Sequence, residues 1–415
     1  MLKKTKRHGV CFFLFSQSSS IRFDEYFIFF IDYFMLNFIY NAFYQFKISF
    51  LNSIRLCFML CTFFALLCSC NNHDSKYVCF NQIEYISEFP KNITLNKTDP
   101  QEIDLMGCVD LIGNDSLLIF KMMGTGFHWK VYSFANFGKG VNLLKKGEGP
   151  NEFVNMPSNE YFYGSDCRVW IPSKSQMVHI NLSKSFQKEQ LCLDSIYRLP
   201  INGTAVNCAF TQDSTYFAVL FQRNSFQRIL LDKCGKCKIS KNIQLINDVT
   251  VQNDLNALSA VRRYEPQRKK VVEGMLHLNQ INLFSLEDST FAKTICVGDK
   301  LSNLNILDNS SKKEWTKFYG CIVTHPDYFA AIYFNAKRKD FFNGMMDSVA
   351  IHFFNWNGDP LLNLTIPYAV ETFFIHKNKD LYLLSVHGEK ETLYKYDLET
   401  ILRDTLNFTS NIKAL

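Results

Sequence analysis

The chain has 415 residues, with 45 Lys+Arg against 39 Asp+Glu, 14 Cys, and a 15 % aromatic fraction that includes 40 Phe. A 47 % hydrophobic and 20 % charged composition excludes a disordered or collagen-like chain, and the length allows one large domain or a few average ones. Residues 1–69 hold 19 of the 63 aromatic residues and +4 of the net +6 charge, which leaves residues 70–415 near balance at +2. There is no basic stripe of the kind a nucleic-acid binder needs, so no nucleic-acid partner is expected. Arg262-Arg263 and Arg268-Lys269-Lys270 form the densest basic patch and read as a solvated loop.

Taken in chain order, residues 1–50 are aromatic-rich and fit no ordinary leader. They read as non-globular sequence upstream of the true start, with Met35 as an internal alternative. Residues 51–69 read as a lipoprotein signal peptide. Arg55 supplies the positive flank, and the apolar run that follows stops at Asn71-Asn72-His73-Asp74. The run is short for a membrane span, although a transmembrane helix at 54–69 is the alternative. Leu67-Cys68-Ser69-Cys70 looks like a bacterial lipobox. Cys70 would then be the lipidated amino terminus, with the membrane as partner through its acyl chains. Residues 70–76 would be a tether, and the location the cell envelope, extracytoplasmic.

From residue 77 onward the chain reads as strands. Short apolar runs are bounded by Gly, Asn, Asp and Ser, and only residues 255–263 carry a possible short helix. A polar turn carrying Asp precedes an aromatic or aliphatic strand at Asp115, Asp166, Asp213, Asp327 and Asp380. The spacings are 51, 47, 114 and 53, so one copy between Asp213 and Asp327 has lost its turn. A second strand, rich in Tyr, His, Phe and Val, follows each unit at residues 129–134, 177–182, 227–231, 280–286, 348–356 and 392–398. Its fourth copy fills the gap in the first series. Both series give six repeats with a period near 53 residues. The expected fold is an all-β, six-bladed β-propeller of four-stranded blades over residues 77–412. Residues 77–86 are expected to complete the last blade and close the ring. The aromatics then serve blade packing.

Three features resemble the TolB-like six-bladed propeller lipoproteins of bacteria. They are the lipobox at Cys70, the element Lys146-Gly147-Glu148-Gly149-Pro150-Asn151-Glu152-Phe153 between the first two repeats, and Phe353-Phe354-Asn355-Trp356-Asn357-Gly358-Asp359-Pro360 with Ile366-Pro367 late in the chain. The resemblance covers roughly residues 75–410. It implies the fold and export, and no particular reaction. Independently of it, Gly147 and Gly149 permit unusual backbone angles and Pro150 fixes the exit direction. Glu148 and Glu152 would bond neighbouring backbone amides. The element is an inter-blade turn or a ligand-contacting loop, and in the second case Lys146, Glu148, Asn151 and Glu152 are the candidate contacts. Asn357-Gly358 is a hairpin signal with Trp356 as blade packing.

Signals for catalysis are absent. Cys234-Gly235-Lys236-Cys237 is a lone CxxC, read as a hairpin tip with free thiols, with a local disulfide or a metal or redox site as alternatives. The remaining cysteines sit in or beside apolar runs as core thiols. His128, His179 and His352 fall in the second strand of their repeats and read as packing or surface groups. No nucleophile elbow, P-loop or HExxH occurs. No catalytic residue, metal ligand or cofactor beyond the acyl anchor is assigned, although a central divalent metal would be assembled from distant blades. The expected function is non-enzymatic binding of a protein, peptide or glycan. The alternative is a propeller-type metal-dependent hydrolase or lactonase.

Overall fold

The computed structural model describes residues 77–101, 103–163, 166–199, 201, 204–211, 215–232, 234–238, 241–387 and 390–406. The chain divides into two compact units, 1–73 and 74–415. The first unit, with the signal segment and Cys70, lies outside the described residues. Among the described residues no helix is long and apolar enough to cross a membrane.

The described strands fall into six sheets. Two short strands come first, β1 (Gln82–Ile86) and β2 (Asn92–Thr94). Blade 1 holds β3 (Cys108–Gly113), β4 (Leu117–Met122), β5 (Phe127–Ser133) and β6 (Asn136–Lys145). Blade 2 holds β7 (Ser158–Tyr163), β8 (Asp166–Ile171), β9 (Gln176–Asn181) and β10 (Leu193–Arg198), with α1 (Leu182–Lys188) before its last strand. Blade 3 holds β11 (Ala205–Phe210), β12 (Tyr216–Gln222), β13 (Ser225–Leu231) and β14 (Cys237–Lys238), followed by α2 (Lys241–Asn247). Blade 4 holds β15 (Ala260–Glu265), β16 (Lys270–Met275), β17 (Gln280–Ser285) and β18 (Ala292–Val297), and α3 (Leu304–Asp308) leads out of it. Blade 5 holds β19 (Thr316–Thr324), β20 (Tyr328–Lys337), β21 (Val349–Asn355) and β22 (Pro360–Ile366), with α4 (Arg338–Phe342) between its middle strands. Blade 6 holds β23 (Thr372–His376), β24 (Asp380–Ser385) and β25 (Thr392–Asp397), then α5 (Leu398–Leu406).

Neighbouring strands within a blade are antiparallel. The alternation places apolar side chains on both faces of each sheet, so every blade must bury both faces against its neighbours. Six core clusters do this, one for each adjacent pair of blades. Trp129 and Val169 meet between blades 1 and 2, and Trp170 and Cys208 between 2 and 3. Phe217 and Phe284 meet between 3 and 4, and Val272 and Phe354 between 4 and 5. Phe353 and Phe373 meet between 5 and 6. Phe120 and Tyr382 join blade 6 back to blade 1. Six sheets with six interfaces in cyclic order make a closed six-bladed propeller.

Both repeat series match the blades. The Asp-led units are β4, β8, β12, β20 and β24, and the second series is β5, β9, β13, β17, β21 and β25. The missing copy is β16, whose turn is built by Pro266, Gln267, Arg268 and Lys269, the last at φ 52°.

Four expectations need correction. Residues 77–86 do not complete the last blade, because β1 runs parallel to β18 at the outer edge of blade 4. The chain then pairs β2 with β22 of blade 5, and Gln101 bridges to Leu393 on β25 of blade 6. The segment is thus a strap over three outer edges, and the blades hold three to five strands rather than a uniform four. Such coverage also removes exposed sheet edges. Residues 255–263 form a short 3₁₀ turn, Leu255–Leu258, that passes directly into β15. Arg262 and Arg263 therefore lie on the innermost strand of blade 4 and not in a solvated loop. Arg262 is 5 % exposed because Glu273 stands directly opposite it across the β15–β16 pair.

Candidate functional site: the central channel

The first strand of each blade borders the ring centre. β23 packs on β3, β7 on β11, and β19 on both β15 and β23. All six therefore begin at one end of the channel, here the upper face, and finish at the lower face. In an antiparallel blade, the connections leaving the upper face join first to preceding last strands and second to third strands.

The lower mouth is a cavity of about 700 Å³ lined by the ends of β3, β15, β19 and β23. Its polar groups largely bond one another. Tyr328 Oη donates to Asn378 Oδ1 at 2.6 Å, and the Asn378 amide lies 2.7 Å from His325 Nε2. Asn378 is held there by a turn in which Lys377 and Asn378 take φ 50° and 58°. Burial lowers the pKa of His325 and raises that of the Glu265 carboxyl.

The upper mouth is a smaller cavity of about 370 Å³, lined among others by Asp110, Lys121, Ser158, Asn207, Arg262 and Arg263. Lys121 Nζ lies 3.0 Å from Asp110 Oδ2, and Thr372 Oγ1 donates to Asp110 Oδ1 at 2.8 Å across the blade 6–blade 1 seam. Burial opposes ionisation of Asp110, but Lys121, Thr372 and the Arg263 charge outweigh it and hold the carboxyl below its usual value. Behind the cavity Glu273 joins two guanidiniums. Arg228 reaches it through Nε at 2.9 Å and Nη2 at 2.6 Å, and Arg262 through Nε at 2.5 Å. Arg228, Arg262 and Glu273 are all buried, at 2 %, 5 % and 0 % exposure. Glu273 also accepts from Asn282, which donates to the Val78 carbonyl, while Thr294 bridges Asn282 to the Phe80 amide. The polar network thus runs from the channel wall to the strap. Sequence reasoning missed it. The only available signal was the pairing of Arg262 with Glu273, which emerges once the β15–β16 register is known.

The upper face carries a second property. Among the described residues, eight large hydrophobic side chains are at least 50 % exposed. Seven of them lie in or beside upper connections: Met106 before β3, Met123 after β4, Val154 between β6 and β7, Phe221 at the end of β12, Ile306 on α3, and Phe342 and Met345 between β20 and β21. The eighth, Tyr197, is the penultimate residue of outer strand β10, opposite Met177 near the start of β9, and stands at the periphery of the same face.

The element at residues 146–153 also lies on this face, between β6 and β7. Lys146 pairs with Phe153 in a local bridge, and the Glu152 carboxylate folds back to accept from the Gly149 amide at 3.1 Å and from Lys145 Nζ at 2.7 Å. Hydrogen bonding from Lys145, then from the Gly149 amide, holds Glu152 below its usual pKa. Lys146 Nζ reaches the Met122 carbonyl at 3.4 Å. Glu148 and Asn151 are exposed at the tip.

Cys234 and Cys237 occupy a turn leading into β14, both exposed and unbonded to each other. Cys108, Cys167, Cys208 and Cys296 are buried thiols. His128 is buried with Nε2 at 2.8 Å from the Phe153 carbonyl, and His352 is buried among aromatic rings. His179 is half-buried in the third strand of blade 2. On adjacent strands its Nε2 lies 3.3 Å from Asp166 Oδ2, and Asp194 completes a group of three possible metal-ligating side chains. This group is on blade 2, away from the residues lining either mouth.

No family model and no curated protein matches the chain. Several solved structures are similar. One is a member of the DUF4221 family from Bacteroides vulgatus, with 12 % identity, 72 % of this chain and 95 % of that chain covered, and a TM-score of 0.45. Another is a protein from Bacteroides fragilis named as exported, with 12 % identity, 76 % and 98 % covered, and a TM-score of 0.41. A third is regucalcin, a calcium-binding protein from Agrobacterium tumefaciens, with 9 % identity, 74 % and 95 % covered, and a TM-score of 0.41. The six-blade assignment rests on the sheets themselves, and none of these likenesses bears on function.

Proposed function

We propose that the protein is a non-enzymatic binding module of the cell envelope, anchored through Cys70, that engages a polypeptide partner with its upper face. One observation carries the reading: among the described residues, the eight most exposed large hydrophobic side chains all stand at the upper end of the blades, seven of them in or beside its connections. Scattered single hydrophobics are ordinary on a protein surface, but their concentration at one face marks an interaction surface. Met and Phe dominate the group, and both residue types are enriched where proteins meet proteins. A polypeptide therefore fits this face better than a glycan. Glu148 and Asn151 stand on the same face and would contact the partner, with Lys146 and Glu152 holding the loop that presents them.

The hydrolase reading calls for Asp, Glu and Asn side chains converging on the channel, and the lower mouth is where Asn114, Asp115, Glu265 and Asn378 come together, Asn378 already bonded to Tyr328 and His325. The upper mouth instead offers three cations and one carboxylate, Asp110, already engaged by Lys121 and Thr372. This donor set suits an anion. The motifs at residues 146–153 and 353–360 support placing the chain beside the TolB-like lipoproteins.

The test compares two variants of the full chain in membranes of its own cells after chemical crosslinking. Phe342→Ser combined with Met345→Ser removes apolar surface from the upper face. Gln267→Ser alters the exposed turn at the lower mouth. The reading expects loss of the crosslinked complex only in the first. Equal loss in both, or loss only in the second, would refute it.

A further inference from the structure

Two buried guanidiniums, Arg228 and Arg262, share the single carboxylate of Glu273. The triad thus carries one positive charge in excess, buried in the blade 3–blade 4 wall. Buried charge is costly unless it is paired and fully hydrogen-bonded. Arg228 meets that condition: Nε and Nη2 bond Glu273, and Nη1 donates to the Phe226 carbonyl at 2.9 Å and the Ile246 carbonyl at 3.4 Å. Arg262 does not. Its Nε bonds Glu273 and its Nη1 donates to the Ala260 carbonyl at 3.3 Å, while its Nη2 is buried without a hydrogen-bond partner. Arg262 lines the upper cavity, as do Ala260 and Phe226, whose ring lies 5.8 Å from the Arg262 guanidinium. The under-satisfied member of the triad is therefore the one at the cavity wall.

The same cavity is lined by Lys121 and Arg263, with Asp110 as its only lining carboxylate. Counting Arg228 and Glu273 behind the wall, four cations face two carboxylates. Ser158, Ser259 and Asn207 add neutral polar groups.

We infer that the upper cavity is a carboxylate site that receives an acidic side chain of the docked polypeptide, the surplus charge of the Arg228–Glu273–Arg262 triad being matched on binding. This rests on the docking role of the upper face and names the chemistry of the partner segment that enters the channel. The exposed apolar side chains elsewhere on the upper face select a polypeptide as the source of the carboxylate, because a free small anion would make no use of Met106, Met123, Phe342 or Met345. A segment carrying an acidic residue and apolar ones satisfies the cavity and the upper face together. Arginine suits this role through its planar, multiply donating head.

The experiment measures fluorescence anisotropy of fluorescein-labelled hexaglutamate, hexaglutamine and hexalysine with the detergent-solubilised full chain, and competition by free glutarate. Hexaglutamate is expected to bind more than about tenfold tighter than either control, the scale of one charge-assisted hydrogen bond, and to weaken with added salt. Arg262→Gln and, separately, Arg263→Gln each reduce its affinity by about tenfold. The second variant leaves the triad intact and keeps the test valid if the first does not fold. Hexaglutamate binding no tighter than hexaglutamine, or binding unaffected by both substitutions, overturns the inference. Glutarate competing as strongly as the peptide overturns the polypeptide source. The crosslinking comparison of the Phe342 and Met345 variants reads the docking role separately. A positive result there with no hexaglutamate binding refutes the carboxylate site alone.

Discussion

Glu273→Gln should be among the most damaging single substitutions in the propeller. The side chain keeps its shape and loses its charge. In the native protein Glu273 is 0 % exposed and takes three short bonds from two guanidiniums, of 2.9, 2.6 and 2.5 Å. Burial opposes its ionisation, but Arg228 and Arg262 together hold its carboxyl far below the usual range. Removing one partner of a buried pair costs about 3–5 kcal/mol, and here two cations lose the same partner, so the loss should reach about 5 kcal/mol or more. Domains have about 5–15 kcal/mol in total, so the variant should be marginal or unfolded at ambient temperature. Urea denaturation followed by tryptophan fluorescence measures the effect, since Trp129, Trp170 and Trp315 are fully buried. Replacing all three members with Arg228→Met, Arg262→Met and Glu273→Leu should recover most of the stability, because apolar replacement of a buried ionic triad is often neutral or better. A Glu273→Gln variant within about 1 kcal/mol of the native protein would refute the claim that the triad holds uncompensated buried charge.

Other outcomes follow from the same geometry. His352 is 3 % exposed between the rings of Tyr333 and Phe89, and burial lowers its pKa to about 3. The unfolded chain takes up that proton near pH 6.5 and the folded one does not, so stability is full above 6.5 and falls as pH drops toward 3. Between pH 7 and pH 5 the loss should be about 2 kcal/mol, and His352→Phe should remove that slope in urea titrations at the two pH values. Gly147 has φ 149°, and an added Cβ would collide with the Glu152 carboxylate. Gly147→Ala should therefore cost about 1–3 kcal/mol and free Glu152 from the Gly149 amide, visible as an upward shift of its carboxyl titration by NMR. Elemental analysis after removal of loosely bound ions should find no divalent metal whose retention depends on Asp110 or Glu265; stoichiometric Ca²⁺ or Zn²⁺ lost with Asp110→Asn would favour the hydrolase alternative.

The six-fold architecture was legible because the second and third strands of a blade sit in the core and carry a local signature, an Asp-led turn followed by apolar residues. The β16 copy escaped the first series because its turn uses Pro266 and a left-handed Lys269 in place of Asp. The strap was not legible. Gln82 pairs with Lys293 and Asn92 with Asn363, and no local pattern encodes a parallel partner some 200 or more residues away. The role of Arg262 was hidden for the same reason. Two adjacent arginines look like a solvated patch until the strand register sets Glu273 opposite one of them. The loop at residues 146–153 was recognisable from its glycines and proline, and Glu152 does bond a neighbouring amide. The concentration of exposed Met and Phe on one face required the topology, since those residues come from blades 1, 3 and 5 and the connections beside them.

The most direct measurement places a photo-crosslinking amino acid at Met345 on the upper face and, in a separate chain, at Gln267 on the lower mouth, with illumination in intact cells. The account predicts a discrete polypeptide adduct from Met345 and none from Gln267, with the Met345 adduct lost on Arg263→Gln. Adducts from Gln267 alone, or equal yields from both positions, would contradict it.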